Sequence, residues 1–579
     1  MDIISGLPTE TLSEILSYLP IKHAFGDITT CCLVSKTFNS VASRILYHHI
    51  TLSAVSHIGP APELEISLLR PGHQSLQHVR SITVEIRDPE IYEIVWADER
   101  YFYEDIALLQ MAGLLNRLVE RVGEDKIKSI YLGSEELLKY LSVPLKKKIK
   151  TLDVFLKAFG DAIKNEPQTY PVDIWSPKSL TAFNQDLSLE ALTVYGIGTS
   201  SISSIPAWEM CQQNYRTLKL LNLHGFMGPS VHGYYPNTIP GNDHLARTLS
   251  GPPQLDALES LDFKYILWDS SQEPNKSPDA FLAELETGVF SACARKNIKT
   301  VSFSNCQSTE VLSLGCARFL NHITNLTIEV SGPLEYLETL LCKLSCGLSS
   351  LYIKWDPSPE TRSQTRRALP DVDPTLGKIA LVKHSTTLKS LYLNKLSGHK
   401  FCVKGPVGAE GGLDLETISK FPLLEYLALR LNEPDLWDSG VLKFPSLKFI
   451  HFLEHLPVRP GTESGNIEDF LRWLSPSHGE ASTDIVSKSM KLKALVTPSN
   501  WSSYGRSTPY LVYFRGLSEP CHFESPRRGF RELCYWHPDI EEFCMKGDSS
   551  FCPFKQDGIL PPTSQGEESC TEGDIDAPF

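Results

Sequence analysis

One pattern returns along most of this chain: an apolar residue, two residues of any kind, a second apolar residue, one residue, and a third apolar residue. It reads Val79/Ile82/Val84, Ile127/Ile130/Leu132, Ile149/Leu152/Val154, Leu189/Leu192/Val194, Leu218/Leu221/Leu223 and Leu258/Leu261/Phe263. It continues as Ile298/Val301/Phe303, Ile323/Leu326/Ile328, Leu348/Leu351/Ile353, Leu388/Leu391/Leu393, Leu424/Leu427/Leu429 and Leu447/Ile450/Phe452. A further copy, Leu492/Leu495, has Thr497 in place of the last apolar residue. The last two apolar positions are two apart, so they share one face of a short strand. The first anchors the turn that leads into it. One such strand cannot bury its face alone, whereas strands stacked side by side form a continuous apolar spine.

The triplet resembles the leucine-rich repeat, L-x-x-L-x-L-x-x-N/C. The closing Asn or Cys survives only at Cys306 and Asn432, and the intervals between copies are uneven. A regular repeat of this kind has a period of roughly 20–29 residues. The reading is an α/β fold: an irregular leucine-rich-repeat-like solenoid over 76–497, with a curved parallel sheet and long insertions. The competing reading is a set of unrelated core strands from separate α/β domains. Constancy of the triplet favours the solenoid, and the uneven spacing favours its rival. Helical pieces are expected between strands at Ser277–Val289, Glu135–Leu141 and Ile467–Leu474. The Pro- and Gly-rich stretches Gly225–Pro253 and Lys400–Gly412 are expected to be long loops.

The first fifty residues have a different character. Leu7-Pro8-Thr9-Glu10 precedes Leu12, Ile15, Leu16 and Leu19, the spacing of one helical face. Pro8 suits a first helical turn and Glu10 the positive end of the helix dipole. A second run carries Val34, Phe38, Val41 and Ile45, with Asp27 as its expected N-cap. The string from Leu33 to Phe38, followed by Ala42 to Tyr47, resembles the fungal form of the F-box. That resemblance implies a helical F-box over 1–50 that binds a Skp-type adaptor and, through it, a cullin. Carried over by motif, the adaptor-binding residues are Leu7, Pro8, Leu12, Ile15, Leu16, Leu19, Leu33, Val34 and Phe38. The residues alone leave open which of these face the adaptor and which pack the small helical core. They also leave open a plain helical cap of the solenoid with no partner.

Composition narrows the function. The net charge is −14, which argues against nucleic acid as the main partner. Lys146-Lys147-Lys148 reads as a solvated turn. No stretch approaches the roughly 18 apolar residues of a membrane span, and the N-terminus lacks signal-peptide character. A cytoplasmic or nuclear location and free thiols are expected. Cys521, His522, Cys534, His537, Cys544 and Cys552 cluster without metal-site spacing, so no metal and no cofactor is expected. No G-x-S-x-G, P-loop, H-E-x-x-H or dinucleotide fingerprint is present, and no catalytic residue is expected.

Strand alternation nominates a binding face. Residues between and beside the apolar positions point away from the spine. On the best strands these include Tyr352, Lys354, Tyr392, Asn394, Tyr426, Arg430 and His451, which are taken as candidate target contacts. Tyr and Arg often dominate interface energetics. Residues 498–554 are aromatic-rich and expected to cap the last strand, and 555–579 form an acidic tail without structure. The resemblance implies a substrate-recognition subunit of a Skp/cullin/F-box ubiquitin ligase acting on an unidentified protein. A repeat scaffold uncoupled from ubiquitylation is the alternative.

Overall fold

The computed structural model describes residues 7–17, 25–55, 59–60, 68–70, 74–87, 105–155, 187–197, 210–225 save 212, 255–264, 298–307, 322–331, 340–356 save 345–346, 381–395, 421–429, 446–452, 493–498, 510–514 and 521–523. The expected helices at 277–289 and 467–474 and most of the two long loops lie outside them.

Three helices open the chain: α1 (Thr9–Ser17), α2 (Phe25–Val34) and α3 (Lys36–Leu46). Pro8 leads into α1, and its carbonyl accepts the Leu12 N–H. The second helical run is therefore split in two, and Asp27 is not its cap. Asp27 lies inside α2, while Ser35, in extended backbone, caps α3 by accepting the Phe38 N–H at 3.2 Å. A serine hydroxyl reaches the third N–H of the following turn, which would otherwise lack an acceptor. Leu12, Leu16, Ile28, Phe38, Val41 and Ala42 pack into a small core of their own.

The remainder is dominated by one sheet of seventeen strands among the described residues. The first five are β1 (His49–Val55), β2 (Gly59–Pro60), β3 (Ser81–Arg87), β4 (Ser129–Leu132) and β5 (Ile149–Phe155). Next come β6 (Ala191–Ile197), β7 (Leu220–Gly225), β8 (Ser260–Lys264), β9 (Thr300–Gln307) and β10 (Asn325–Ser331). The last are β11 (Ser350–Asp356), β12 (Ser390–Lys395), β13 (Tyr426–Leu429), β14 (Phe449–Phe452), β15 (Ala494–Pro498), β16 (Tyr510–Phe514) and β17 (Cys521–Phe523). β1 pairs with β3, and from β3 to β15 each strand pairs in parallel with the next. This is the solenoid-like order of a repeat array, one strand per triplet, and it excludes separate antiparallel sheets. β2 runs antiparallel to β1, and β16 and β17 close the C-terminal edge as antiparallel neighbours of β15.

Register explains the pattern. Leu326, Leu351, Leu391, Leu427, Ile450 and Leu495 are successive partners across β10 to β15. The triplet lacking its third apolar residue thus still supplies β15. Every first and second triplet residue from Val79 to Ile450 is buried in a single core, and Phe263 and Phe303 stack within it at 5.3 Å. Burying a Leu, Ile, Val or Phe side chain is worth roughly 1.5–3 kcal/mol, so the spine carries most of the favourable free energy.

The sheet begins earlier than the expected boundary at residue 76. β1 belongs to it, and its triplet is Tyr47/Ile50/Leu52, with Tyr47 packed half-buried against the same core. The aromatic first residue hides this copy from a search for aliphatic ones. Between β3 and β4 the crossover is α4 (Asp105–Val122), whose Leu108, Met111, Leu115 and Leu118 enter the core. It stops at Gly123, where φ is 95°, a left-handed conformation that glycine takes without strain. Glu135–Tyr140 is a 3-10 turn rather than an α-helix, and α5 (Val143–Lys146) follows it.

Two buried polar side chains tie successive turns together. Asn214 Oδ1 accepts the Leu189 N–H at 2.7 Å and its amide donates to the Met210 carbonyl. His384, fully buried, repeats the device: Nδ1 accepts the Leu348 N–H at 3.3 Å, and Nε2–H donates to the Leu341 carbonyl at 3.2 Å. Each satisfies a buried backbone donor that no strand partner reaches. Asn214 and His384 both stand four residues before a triplet anchor, Leu218 and Leu388.

Along the rim where strands begin, the residue after each anchor forms a second ladder. Glu190 N–H donates to the Lys150 carbonyl, Lys219 to Glu190, Glu259 to Lys219 and Lys299 to Glu259, each at 2.7–2.9 Å. Alternating charge follows this backbone order. Lys150 and Lys219 lie 3.5 and 3.0 Å from the Glu190 carboxylate, and Lys448 lies 3.5 Å from Glu425. The hydrogen bond from Lys219 holds the Glu190 carboxyl below its ordinary pKa. These partly exposed pairs are each worth about 0–1 kcal/mol and act chiefly to fix register.

Candidate functional site

The helical unit separates its apolar residues into two sets. Leu12, Leu16 and Phe38 are buried in the small core at 2%, 3% and 8% exposure. Leu33 and Val34, adjacent at the end of α2, are 85% and 62% exposed. Pro8 is exposed and Leu7 half-buried, while the Ile15 side chain and Leu19 lie outside the described residues. The cause is local. Phe38, Val41 and Ala42 form the inward stripe of α3, and the Ser35 cap turns the chain between Val34 and that stripe. Leu33 and Val34 are left at the break, without room in a core built from three short helices. Among the described residues they are the two most exposed large apolar side chains. Two adjacent apolar residues left open to water are the kind of feature a partner covers.

The nominated target residues also divide. Tyr352 and Tyr392 are direct partners on β11 and β12, on the face away from the spine. Their rings stack with centroids 4.0 Å apart, 12° from parallel. Lys354, one step along the same face, forms an ion pair with Glu329 on β10. Asn394 is the register partner of Lys354, and Arg430 lies outside the described residues.

Further toward the C-terminus this face closes. Tyr426 and His451 are 1% and 0% exposed, and Tyr426 Oη shares a 2.8 Å hydrogen bond with His451 Nδ1. Phe449 and Ala428 are fully buried beside them, and Tyr392 is 6% exposed. None of these five belongs to the main core, so they form a second buried cluster on the opposite side of the sheet. Tyr392, Tyr426 and His451 are accordingly withdrawn as target contacts: alternation set their direction correctly, but burial leaves them almost no surface to offer. Burial also pushes the His451 imidazole down to about 3, so it is neutral at ordinary pH.

The N-terminal part of the same face is polar. His49 Nδ1 lies 2.8 Å from Ser81 Oγ and its Nε2 lies 3.1 Å from Thr83 Oγ1. Tyr131 donates to Asp153 Oδ2 at 2.7 Å, and Asn222 to Thr193 Oγ1 at 3.2 Å. Hydroxyl, amide and imidazole groups bridge neighbouring strands, an arrangement that stabilises register across the sheet. Among the described residues no group of three His, Cys, Asp or Glu side chains could hold a metal ion. The Cys and His side chains of the 521–552 cluster lie outside them.

Comparison with known protein families bears on the N-terminal part of the chain. The F-box-like family matches residues 4–53. The chain therefore carries an F-box-like domain at its N-terminus, and Leu33 and Val34 lie within it. No curated protein matches the chain. A solved structure of a leucine-rich-repeat protein from Leptospira interrogans is similar at 14% identity, covering 58% of this chain and 75% of that one, with a TM-score of 0.22. The repeat assignment rests on the strand register described above. Among the described residues no helix is long and apolar enough to cross a membrane.

One feature of the rim was missed by sequence reasoning. His48, Arg80 and Lys128 are successive members of the post-anchor ladder: Arg80 N–H donates to the His48 carbonyl at 2.9 Å and Lys128 N–H to the Arg80 carbonyl at 2.7 Å. Their sequence separations conceal the row. The signal available was the position after each triplet anchor, here Tyr47, Val79 and Ile127.

Proposed function

We propose that this protein is the substrate-recognition subunit of a Skp/cullin/F-box ubiquitin ligase. The observation that carries the reading is the exposed pair Leu33–Val34 inside an F-box-like domain. On this reading Leu33, Val34 and Pro8 cover themselves against a Skp-type adaptor, with Leu7 at the margin. Leu12, Leu16 and Phe38 hold the helices that present them. A cullin joins through the adaptor. The protein contributes no catalytic group. It places a bound target near the charged conjugating enzyme, which raises the effective concentration of a target lysine.

The target face is assigned to the part of the sheet around Tyr352 and Lys354, with Asn394 as the register partner of Lys354; Arg430 is included on its sequence pattern alone. The half-buried Tyr352 ring, held by its stack on Tyr392, offers apolar area at low entropic cost, and the Lys354–Glu329 pair offers directional polar contacts. Work in the cytoplasm or nucleus follows from this assignment.

The test is affinity purification from cells with and without proteasome inhibition. Wild-type chain should bring down adaptor, cullin and ubiquitylated clients that accumulate under inhibition. Leu33→Ser with Val34→Ser should lose adaptor and cullin while retaining clients. Stable partners whose levels ignore the inhibitor would point to an uncoupled scaffold. Replacing Tyr352, Lys354 and Arg430 together should weaken client capture and spare the adaptor.

A further inference from the structure

The charge ladder along the strand-start rim is not uniform. From Lys150 to Lys299 acid and base alternate, Lys150–Glu190–Lys219–Glu259–Lys299, and beyond it the rungs are Thr324, Ser349, Lys389, Glu425, Lys448 and Lys493. Before Lys150 no acid interrupts it: the imidazole of His48 is followed by Arg80 and Lys128, and a register shift at β4 brings the Lys148 carbonyl to the Ile130 N–H at 2.8 Å. Arg44, in the last turn of α3, extends the strip onto the F-box-like helices. Arg44 and Lys128 are exposed. Among the described residues, none of Arg44, Arg80, Lys128 and Lys148 forms an ion pair with a carboxylate. In a chain of net charge −14 this concentration of unbalanced cations stands out.

We propose that Arg44, Arg80, Lys128 and Lys148 form a docking strip for an acidic peptide segment of the same protein that covers Leu33 and Val34. The inference rests on the adaptor reading given above and adds a second, electrostatic contact to it. Continuity and length favour this occupant. The strip is continuous with the helical unit through Arg44 and through His48, which follows α3 closely. Neighbouring rungs are about 4.8 Å apart, so the basic section is about 14 Å long, the reach of roughly four or five extended residues. That suits a short acidic peptide better than a nucleic acid, which needs a longer basic track and would be repelled by the rest of the chain.

The cations act on the imidazoles between them. Burial, then Arg80 and Lys128, keep His48 below its ordinary pKa; burial, then Arg44 and Arg80, do the same to His78. Both rings are neutral at physiological pH, so the strip's charge comes from its Arg and Lys side chains. Single surface pairs contribute little, but a row of like charges speeds encounter and fixes orientation, in a salt-dependent way.

The experiment compares adaptor binding by full-length wild type, Leu33→Ser/Val34→Ser, Arg44→Glu/Lys128→Glu and the neutral Arg44→Gln/Lys128→Gln, at low and high salt. Thermal unfolding verifies that each variant is folded. Wild type should bind with an association rate that falls steeply with salt. The reversed variant should associate at least tenfold more slowly at low salt, with a nearly flat salt dependence, and the neutral variant should lie between. A hepta-glutamate peptide should compete with the adaptor on wild type and not on the reversed variant. Unchanged rates and salt dependence in the charge variants, with binding still abolished by Leu33→Ser/Val34→Ser, would overturn the strip and leave the F-box reading intact. No adaptor binding by wild type would overturn both. Retention of a short RNA by the strip, with adaptor binding unaffected by the charge variants, would assign it to nucleic acid and overturn the proposal.

Discussion

The rings of Tyr352 and Tyr392 lie 4.0 Å apart and 12° from parallel, although forty positions separate them in the chain. The parallel register of β11 on β12 makes them neighbours, with Leu351 opposite Leu391 and Ile353 opposite Leu393 on the other face. Such a pair is worth about 0.5–1.5 kcal/mol beyond the area it buries. A double-mutant cycle with Tyr352→Leu and Tyr392→Leu should show a coupling energy in that range by urea denaturation. Strictly additive effects would mean that the stack contributes nothing of its own.

The division of the helical unit into buried and exposed apolar residues makes opposite predictions for similar substitutions. Leu33→Ser with Val34→Ser removes side chains that are already in water, so stability should change by less than about 0.5 kcal/mol. Phe38→Ala empties a core of only a few residues and should cost about 3–5 kcal/mol, enough to open the helices. Limited proteolysis of the first fifty residues should report rapid cleavage for Phe38→Ala and wild-type resistance for the serine pair.

Acid should destabilise the sheet before its carboxylates titrate. Burial, and to a lesser degree the neighbouring His48, pushes the His49 imidazole down to about 4, and burial pushes His451 down to about 3. Unfolded imidazoles titrate near 6.5. Between these values the unfolded chain takes up protons that the folded chain refuses, so stability is greatest above pH ~6.5 and falls as the pH drops toward 4. For His49 the loss could reach about 3 kcal/mol. Denaturation at pH 7.0 and 5.0 should show a smaller decline for His49→Gln/His451→Gln than for wild type.

Two glycines should respond to alanine with opposite sign. A Cβ at Gly113, inside α4, meets nothing within 4 Å, and alanine there should stabilise by about 0.5–1 kcal/mol. At Gly347 the added carbon would lie 2.5 Å from Thr387 Oγ1 and 2.7 Å from its Cγ2. That hydroxyl donates to the Leu348 carbonyl at 2.8 Å, so it cannot swing aside without cost. Gly347→Ala should lower the melting temperature and Gly113→Ala raise it.

Asn214→Ala should leave the Leu189 N–H buried without its acceptor and cost about 1–3 kcal/mol. Hydrogen exchange should locate the damage around Leu189, just before β6, rather than across the whole array. Uniform exchange would show that Asn214 does not act locally.

The spacing of apolar residues determined the architecture. A triplet that puts two residues on one strand face and a third in the turn has few ways to stay dry, so stacked parallel strands followed from composition and period alone. The copy at Tyr47/Ile50/Leu52 escaped only because an aromatic ring can fill the anchor position as well as leucine does. Similarly, one helical period was legible across Val34 and Phe38, but the Ser35 cap that splits it depends on a backbone turn that periodicity does not encode. Tertiary structure alone decided accessibility. Leu33 and Phe38 read alike in sequence, yet one lies in water and the other in a core, because three short helices enclose too little volume for both. Tyr352, Tyr426 and His451 shared one alternation pattern, yet the latter two are sealed within a second apolar cluster. Direction along a strand is a local property of the backbone. Burial depends on what else packs there, and that is set by residues far away in the chain.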